Sequence, residues 1–387
     1  MPTKKFQMSR RTLLAGAALG AGTTALSIKT PLIAAQQPPP RVIASKYGPP
    51  IGVAKLNANE NPYGPSPTAI KTMREAIQKG AYYANASVTK LKSMIAERNG
   101  VSTDHIMITS GSSGALMYLA AAVSQSGHII GPDLFWDTTS KMGTRNSPFG
   151  LKYLPKTEDL SIDLKKMYQS INSETALVQV TNPNNPTGML LDADELSDFS
   201  KKASKKTMVL IDEAYNELTD DPDKNSMLPL VKQGENVVIA RTFSKIYGLA
   251  GMRVGYMIAK PETIEMASAF GLGDYSLNLA GVAGAIACYN DFEFLDYSKS
   301  KIVEAKQMIQ EALSQEGLNS LPSQTNFMFI DLKDLNAEKF RAVMADQGVL
   351  IRGIYRDYTN WSRVSMGKLE DVQKFVDALP STIELVA

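Results

Sequence analysis

The feature that most constrains the fold is a series of short, continuous apolar runs, each of which ends in polar or glycine residues. The clearest runs occupy residues 105–110, 176–181, 207–212, 236–240 and 253–259. Their apolar residues are consecutive rather than alternating, which is typical of strands that are buried on both faces. Helix-like segments, such as 192–205, separate several of the runs. The pattern predicts an α/β fold with a mostly parallel sheet.

The chain of 387 residues is long enough for a large domain and a smaller companion. Beyond about residue 289 a long helix-like segment, 299–315, precedes short apolar runs with helical sequence among them. This mixture of helical segments and short apolar runs predicts a smaller α+β domain. We therefore predict an N-terminal arm at residues 36–75 that is part of the small domain, a large domain at 76–288, and the C-terminal small domain at 289–387.

The N-terminus differs in character from the rest of the chain. Residues 1–35 begin with a basic segment, and Ser9, Arg10 and Arg11 precede a mildly apolar stretch, 13–28. This arrangement resembles a twin-arginine export signal. The stretch is short and contains several glycines, which disfavours a membrane anchor. We expect the twin-arginine export machinery to carry the protein to the periplasm or beyond, and we expect a cytoplasmic protein if the signal is not used.

Composition excludes several classes of function. The formal net charge of +2 provides no strong field for nucleic acid. The single cysteine, Cys288, cannot form an intramolecular disulfide. The two histidines are too few for a histidine-rich metal site. We therefore predict neither a nucleic-acid partner nor a metal centre.

Several notable polar residues follow the predicted strands, and ligands of open parallel sheets bind beyond the strands' carboxyl ends. A GSSG turn opens a helix and is either an anion site or a plain turn. Asp212, in DEAY, needs a cationic partner if it is buried, or it is only a helix cap. Asn185 belongs to NPNNPTG, which is also explained as a rigid turn. Lys245 lies among apolar residues of RTFSKIYGLAGMRVGY, where poor solvation favours its neutral, nucleophilic form.

Together these signals describe one ligand. Lys245 suits an aldehyde, Asp212 suits a protonated ring nitrogen, and the GSSG turn suits a phosphate; pyridoxal 5′-phosphate has all three groups. The order and spacing of LNANENPYG, NPNNPTG, DEAY and SKIYGLAGMRVGY resemble the fold-type I, class I/II aminotransferases, most closely the histidinol-phosphate aminotransferase group. The resemblance extends from Leu56 to the C-terminus and implies an aspartate-aminotransferase-like fold.

The resemblance implies a role for each matching residue in binding pyridoxal 5′-phosphate. Lys245 would form the aldimine with the cofactor, and Asp212 would keep the ring nitrogen protonated. Tyr215 and Asn185 would bond the phenolic oxygen of the ring. The phosphate would be held by the following residues: Ser112, Ser113, Thr242, Ser244 and Arg253.

Two aromatic positions are also implied by the resemblance. Phe135, in PDLFW, would stack on the cofactor ring, with Trp136 as the alternative. Tyr83 matches a tyrosine that reaches the phosphate of the neighbouring subunit, which implies a homodimer. The family often has Arg-Tyr-Pro around this tyrosine, whereas this chain has Tyr82, Tyr83 and Ala84, so that either tyrosine could serve.

The implied activity is transfer of an amino group between an amino acid, or an amine like histidinol phosphate, and a 2-oxo acid. Arg363, in SRVSMG, would bind the substrate's acidic group, with Arg352 and Asn59 as further substrate-binding candidates. One alternative is a pyridoxal-phosphate decarboxylase or lyase of the same fold, similar to threonine-phosphate decarboxylases, which would release carbon dioxide. Another is a non-catalytic exported binding protein, which would not need Lys245.

Overall fold

The computed structural model describes residues 45–387, so the predicted signal at 1–35 and the start of the arm lie outside the described residues. The strands in these residues are β1 (Ala54–Lys55), β2 (Ile106–Thr109), β3 (His128–Pro132), β4 (Leu151–Leu154), β5 (Thr175–Thr181), β6 (Met208–Asp212), β7 (Val237–Thr242), β8 (Gly255–Ile258), β9 (Asn319–Ser320), β10 (Phe327–Asp331), β11 (Val349–Leu350) and β12 (Trp361–Ser365).

The helices of the described residues are α1 (Pro67–Ile77), α2 (Asn85–Asn99), α3 (Ser112–Val123), α4 (Thr138–Gly143), α5 (Leu164–Gln169), α6 (Ala193–Ala203), α7 (Leu228–Lys232), α8 (Pro261–Ser268), α9 (Leu279–Cys288), α10 (Phe292–Gln315), α11 (Ala337–Asp346) and α12 (Leu369–Val386). Several begin where a side chain accepts a hydrogen bond from a backbone N–H of the first turn, as Asp192 does for α6. None of the helices in residues 45–387 is both long and apolar enough to cross a membrane.

The main sheet has seven strands in the order β2-β8-β7-β6-β5-β3-β4. Strand β8 runs antiparallel to both of its neighbours, and all other neighbouring pairs are parallel. The predicted mostly parallel sheet is therefore confirmed. The apolar runs did not predict β3, whose five residues include Gly131 and Pro132, which are poor strand formers.

Both faces of the main sheet are covered by apolar clusters. In β6, Val209 and Ile211 belong to one buried cluster and Leu210 belongs to a second one. In β7, Ile239 belongs to the first of these clusters and Val238 belongs to the second. Because successive side chains of a strand point to opposite faces, a strand covered on both sides needs the consecutive apolar residues seen in the sequence.

Two smaller sheets involve the C-terminal part of the chain. Strands β12, β10 and β9 form an antiparallel sheet in that order, and β1 pairs in parallel with β11. The pairing of β1 with β11 joins the predicted N-terminal arm to the C-terminal part, while α1 packs against α9. The exact domain boundaries remain a prediction.

This topology brings chemically useful residues to one edge of the main sheet. The parallel register places Thr181 beside Asp212, and Asp212 beside Ala240, two residues before the end of β7. Helix α3 starts three residues after β2 ends, so its N-terminus also lies at an end of this sheet. Arg363 comes from β12 in the C-terminal part of the chain.

Candidate active site

A cavity of about 420 Å³ lies where β5, β6 and β7 end. All of the predicted site residues except Phe135 and Tyr83 line this cavity: Asn59, Ser112, Ser113, Asn185, Asp212, Tyr215, Thr242, Ser244, Lys245, Arg253, Arg352 and Arg363. Three cavities elsewhere in residues 45–387 are larger, about 480, 620 and 770 Å³, but Lys245 lines none of them. We therefore take the smaller cavity, in which the predicted residues meet, as the candidate active site.

Lys245 lies in the segment that follows β7 and has a partly desolvated amine. Its Nζ donates a hydrogen bond to the backbone carbonyl of Asn59 at 3.2 Å and lies 5.2 Å from the centre of the Tyr215 ring. Burial lowers the pKa of Lys245 to about 8, and the Arg363 cation acts in the same direction while Asp212 opposes both. The lower pKa increases the neutral fraction of the amine, which is the nucleophilic form.

Asp212 is the last residue of β6 and is only 3% exposed. Its Oδ1 atom has no hydrogen-bond partner among the described residues. Burial raises the pKa of Asp212 to about 7, although a hydrogen bond from the Ala214 backbone and the Lys245 cation oppose this effect. A buried carboxyl with a free oxygen needs a donor, and a cationic N–H group satisfies it best. The protonated ring nitrogen of pyridoxal 5′-phosphate is such a donor.

An anion-binding cradle lies at the N-terminus of α3. Gly111 precedes this helix and provides no side-chain cap, so the first turn presents backbone N–H groups at the positive end of the helix dipole. Arg253 Nη1 donates to Ser244 Oγ at 3.2 Å, and Thr242 Oγ1 donates to the same atom at 3.0 Å. Gly111 has a φ of 73°, and a Cβ atom there would collide with the Arg253 guanidinium. This cradle suits a phosphate group.

A hydrogen-bonded group surrounds the Tyr215 hydroxyl. The Tyr215 hydroxyl oxygen accepts a hydrogen bond from Asn59 Nδ2 at 2.8 Å and a longer one, at 3.5 Å, from Asn185 Nδ2. Burial raises the pKa of Tyr215 to about 12, although the Arg363 cation opposes this effect. The hydroxyl therefore keeps its proton near neutral pH and can donate it to an oxygen in the cavity.

Arg363 is the most constrained cation of the cavity and is 5% exposed. Its Nη1 donates to Asn185 Oδ1 at 2.7 Å, and its Nη2 donates to the Asn57 carbonyl at 3.2 Å. Its Nε is buried and has no partner among the described residues. Arg352 is exposed, and its backbone pairs with that of Arg363. A guanidinium held in place with a donor to spare suits an anionic substrate group.

Tyr355, which no sequence motif identified, lines the cavity together with the two arginines. The guanidinium carbons of Arg352 and Arg363 lie 5.2 and 5.5 Å from the centre of its ring. These distances allow cation–π attraction, which holds both cations near the cavity. The position of Tyr355 between the two arginines in the sequence was the signal that could have identified it.

The predicted stacking residue requires a correction, because Phe135 does not line the cavity. Phe135 is 5% exposed, its ring centre lies 6.3 Å from that of Tyr153, and it packs so closely over Gly131 that a Cβ there would collide with the ring. Trp136, the alternative, lines the cavity. Adjacent side chains in this segment point in different directions, and the more hydrophobic phenyl ring takes the buried side.

Tyr83 lies outside the cavity of its own chain. Its side chain is exposed, and its ring packs edge-on against Tyr275 with the ring centres 5.3 Å apart. The expected contact with a neighbouring subunit therefore remains a prediction.

Comparison with known proteins agrees with this geometry. The family model for aminotransferase class I and II matches residues 51–379. Histidinol-phosphate aminotransferase 2 of Carboxydothermus hydrogenoformans is 32% identical over 86% of this chain and 92% of its own length. The histidinol-phosphate aminotransferase of Moorella thermoacetica is 33% identical over 84% of each chain. The solved histidinol-phosphate aminotransferase of Sinorhizobium meliloti, in complex with pyridoxal-5′-phosphate, is 29% identical with a TM-score of 0.78, covering 87% of this chain and 92% of that one.

Proposed function

Because the chain belongs to the class I and II aminotransferase family and is a pyridoxal-phosphate-dependent aminotransferase, we propose that its amino donor carries a phosphate or carboxylate that binds Arg363 and Arg352. Histidinol phosphate is the first donor to test, since the relatives at 32% and 33% identity bear that name. The observation that carries the proposal is the position of Arg363, a guanidinium that is only 5% exposed and lines the same cavity as Lys245.

The residues of the cavity fit the cofactor group by group. When bound, pyridoxal 5′-phosphate supplies an aldehyde that condenses with amines and a ring that withdraws electrons from them. Asp212 would hold the proton on the ring nitrogen, and the cradle of α3, Ser244 and Arg253 would hold the phosphate. Tyr215 and Asn185 would hold the phenolic oxygen, and Trp136 would lie against the ring. The paired groups fix the ring in one orientation, which is the protein's main contribution to the chemistry.

Lys245 has two tasks in the proposed mechanism. Its amine would hold the aldehyde of the cofactor between turnovers, and during turnover Nζ would accept the proton from the donor's α-carbon. A pKa of about 8 suits this second task, because the free amine is then a base that is partly neutral near pH 7–8. The Asn59 carbonyl, which accepts from Nζ at 3.2 Å, holds the amine in the cavity.

Arg363 and Arg352 would serve both halves of the reaction. The amino donor and the 2-oxo acid acceptor each carry an anionic group, and they occupy the cavity in turn. Arg363 is tied to Asn185 through Nη1, so substrate binding at this arginine is linked to the residue that holds the phenolic oxygen. This contact places the substrate's anionic group at a defined distance from the reacting carbon.

A donor panel tests the proposed substrate class. With 2-oxoglutarate as acceptor, we expect histidinol phosphate to exceed histidinol in kcat/KM by about 30-fold or more, since losing a buried charged contact costs about 2–5 kcal/mol. Lys245→Ala is the matched inactive control. Equal rates with histidinol and histidinol phosphate, or activity confined to uncharged amines, would contradict the proposal. Histidinol phosphate and histidinol lack a carboxyl group, so the panel also includes threonine O-phosphate; carbon dioxide released from it in place of a keto product would instead support the decarboxylase alternative.

We also propose that the active unit is a homodimer. Two exposed apolar segments meet where Tyr83 packs against Tyr275, and their exposed residues are Ile77, Tyr82, Tyr83, Phe270, Leu272 and Tyr275. Contiguous exposed apolar surface of this kind is typical of a protein interface. A second copy of the chain is the occupant that the tyrosine motif favours, because Tyr83 lies outside its own cavity.

Export by the twin-arginine route remains part of the proposal. Its support is the sequence around Ser9, Arg10 and Arg11, followed by a weakly apolar stretch. That route carries folded proteins, which suits an enzyme that binds its cofactor before transport.

A further inference from the structure

A buried ion pair lies directly behind the candidate active site. Glu213 follows Asp212 in the chain, and Arg241 precedes Thr242; Asp212 and Thr242 line the cavity, whereas Glu213 and Arg241 do not. Neighbouring side chains of extended chain point to opposite sides, which explains this division. Glu213 is 0% exposed and Arg241 is 9% exposed. Nε and Nη2 of Arg241 donate to Glu213 Oε2 at 2.9 and 2.8 Å.

Both residues of the pair make further hydrogen bonds. Glu213 also accepts from Ser226 Oγ, at 3.0 and 2.9 Å, and from the backbone N–H of Met227 at 2.8 Å. Arg241 donates to Ser226 Oγ at 2.8 Å and to Asn99 Oδ1, at the end of α2, at 3.2 Å. Burial disfavours the Arg241 cation, but Glu213 holds the pKa of Arg241 well above its ordinary value. Arg241 is therefore a cation, and it is paired with the Glu213 carboxyl group.

The pair also joins the two strands that carry the reactive groups. The backbone N–H of Glu213 donates to the Ala240 carbonyl at 2.8 Å, so β6 and β7 remain paired up to this point. Asp212 lies one residue before Glu213, and Lys245 lies four residues after Arg241. A displacement of either partner would therefore be transmitted to Asp212 or Lys245 over a few backbone bonds.

We propose that Glu213 and Arg241 form a positioning pair that fixes Asp212 relative to Lys245. Each residue of the pair also cancels the charge of the other at the cofactor site. The inference rests on the proposed function, because it concerns the group that Asp212 holds. Neither residue contacts that group, so both act through Asp212 and the segment that carries Lys245. Other charged or titratable groups that lie near Asp212 or the pair are Lys245, Tyr215, Glu217, Arg98, Tyr256, Tyr247 and Tyr289.

Charge cancellation predicts the direction in which each variant shifts the titration midpoint of the cofactor site, whereas a purely structural role predicts no such direction. Arg241→Gln leaves the negative charge of Glu213 uncompensated, which stabilises protonated groups at the cofactor. Glu213→Gln leaves the positive charge of Arg241 uncompensated, which destabilises them. A unit charge about 10 Å away at an effective dielectric constant of about 20 shifts a titration midpoint by roughly one pH unit.

The experiment is a pH titration of the visible absorbance of the cofactor-loaded protein. We expect the midpoint to rise by roughly one pH unit in Arg241→Gln and to fall by a similar amount in Glu213→Gln. The double variant should return to within about 0.3 pH unit of the wild type, since no net charge remains. Arg241→Lys should keep the wild-type midpoint because it keeps the charge, even though losing the forked contact lowers its Tm.

Two outcomes would overturn the proposal. One is that all variants have a lower Tm but keep the wild-type midpoint of the absorbance titration, which would make the pair purely structural. The other is a shift in the same direction for Arg241→Gln and Glu213→Gln. If Arg241→Gln does not fold, the contrast between Glu213→Gln and Arg241→Lys still decides the question. A wild-type protein without any cofactor absorbance would contradict the proposed function itself.

Discussion

Among single residues, Asp212 carries the clearest dependence on pH. Burial raises its pKa from 3.8 to about 7, so between about pH 4 and pH 7 the folded state binds this proton more tightly than the unfolded state does. The contribution of Asp212 to the free energy of unfolding therefore decreases as the pH rises through this window. Between about pH 4.5 and pH 7.5, we expect the free energy of unfolding of the cofactor-free wild type to decrease by on the order of 2–4 kcal/mol relative to that of Asp212→Asn.

Urea unfolding of both proteins at the two pH values measures this difference. Asp346→Asn, at an exposed residue of α11, is the control and should follow the wild type. Parallel pH dependence of wild type and Asp212→Asn would show that the buried carboxyl does not retain its proton.

Arg363 is the residue on which substrate binding depends most. Arg363→Lys keeps a cation but loses the planar fork that contacts Asn185 and the Asn57 carbonyl. We expect kcat/KM for the best amino donor to fall by about 30-fold or more, while the visible absorbance of the bound cofactor remains. Arg341→Lys, in an exposed pair with Glu338, is the matched control. A change within about twofold would exclude Arg363 as the substrate's anion contact and would direct attention to Arg352.

At the scale of an element, the start of α3 depends on one glycine. Gly111→Ala adds a Cβ atom that collides with the Arg253 guanidinium and forces a side chain into a backbone with a φ of 73°. We expect the Kd for pyridoxal 5′-phosphate to rise about 10-fold or more, because the helix terminus and Arg253 no longer converge on one phosphate. Equilibrium dialysis of the cofactor measures the change.

Gly234→Ala separates backbone strain from loss of the cradle. Gly234 has a φ of 76°, but its Cβ atom would meet nothing within 4 Å. It should therefore lower stability by about 1 kcal/mol and leave the Kd for the cofactor unchanged. Equal cofactor affinities in the two alanine variants would argue against the cradle.

At the scale of the whole molecule, the position of Tyr83 permits a test of subunit crossing. Tyr83→Phe chains and Lys245→Ala chains are each expected to be impaired on their own. If the two residues of one site come from different subunits, a mixed dimer has one site in which both groups are intact. We expect the mixture to recover more activity than either parent after unfolding and refolding together. No recovery would place Tyr83 in its own chain's site or in none.

Export concerns the whole protein as well. Arg10→Lys and Arg11→Lys together should leave folded, cofactor-loaded enzyme in the cytoplasm, because the twin-arginine pair would be lost. Cell fractionation with cofactor absorbance in each fraction measures the distribution. A wild-type protein already found in the cytoplasm would contradict the export proposal.

Local sequence patterns account for most strands of the main sheet and for most of the site. Consecutive apolar residues identified five strands of the main sheet, because strands covered on both faces cannot tolerate alternate polar residues. Lys245, Asp212 and Asn185 were identified because they follow such strands, and parallel strand ends meet at one edge. Local sequence is sufficient for these residues, since their positions depend on the strand that they follow.

Packing between elements determines how residues distant in sequence combine. It directed Trp136 rather than Phe135 into the cavity, because the space over Gly131 accommodates the phenyl ring. It also bonded Arg363 to Asn185 and placed Tyr355 beside both arginines of the C-terminal part. The direction of a side chain and the partner of a buried polar atom depend on packing between elements, which no local pattern encodes.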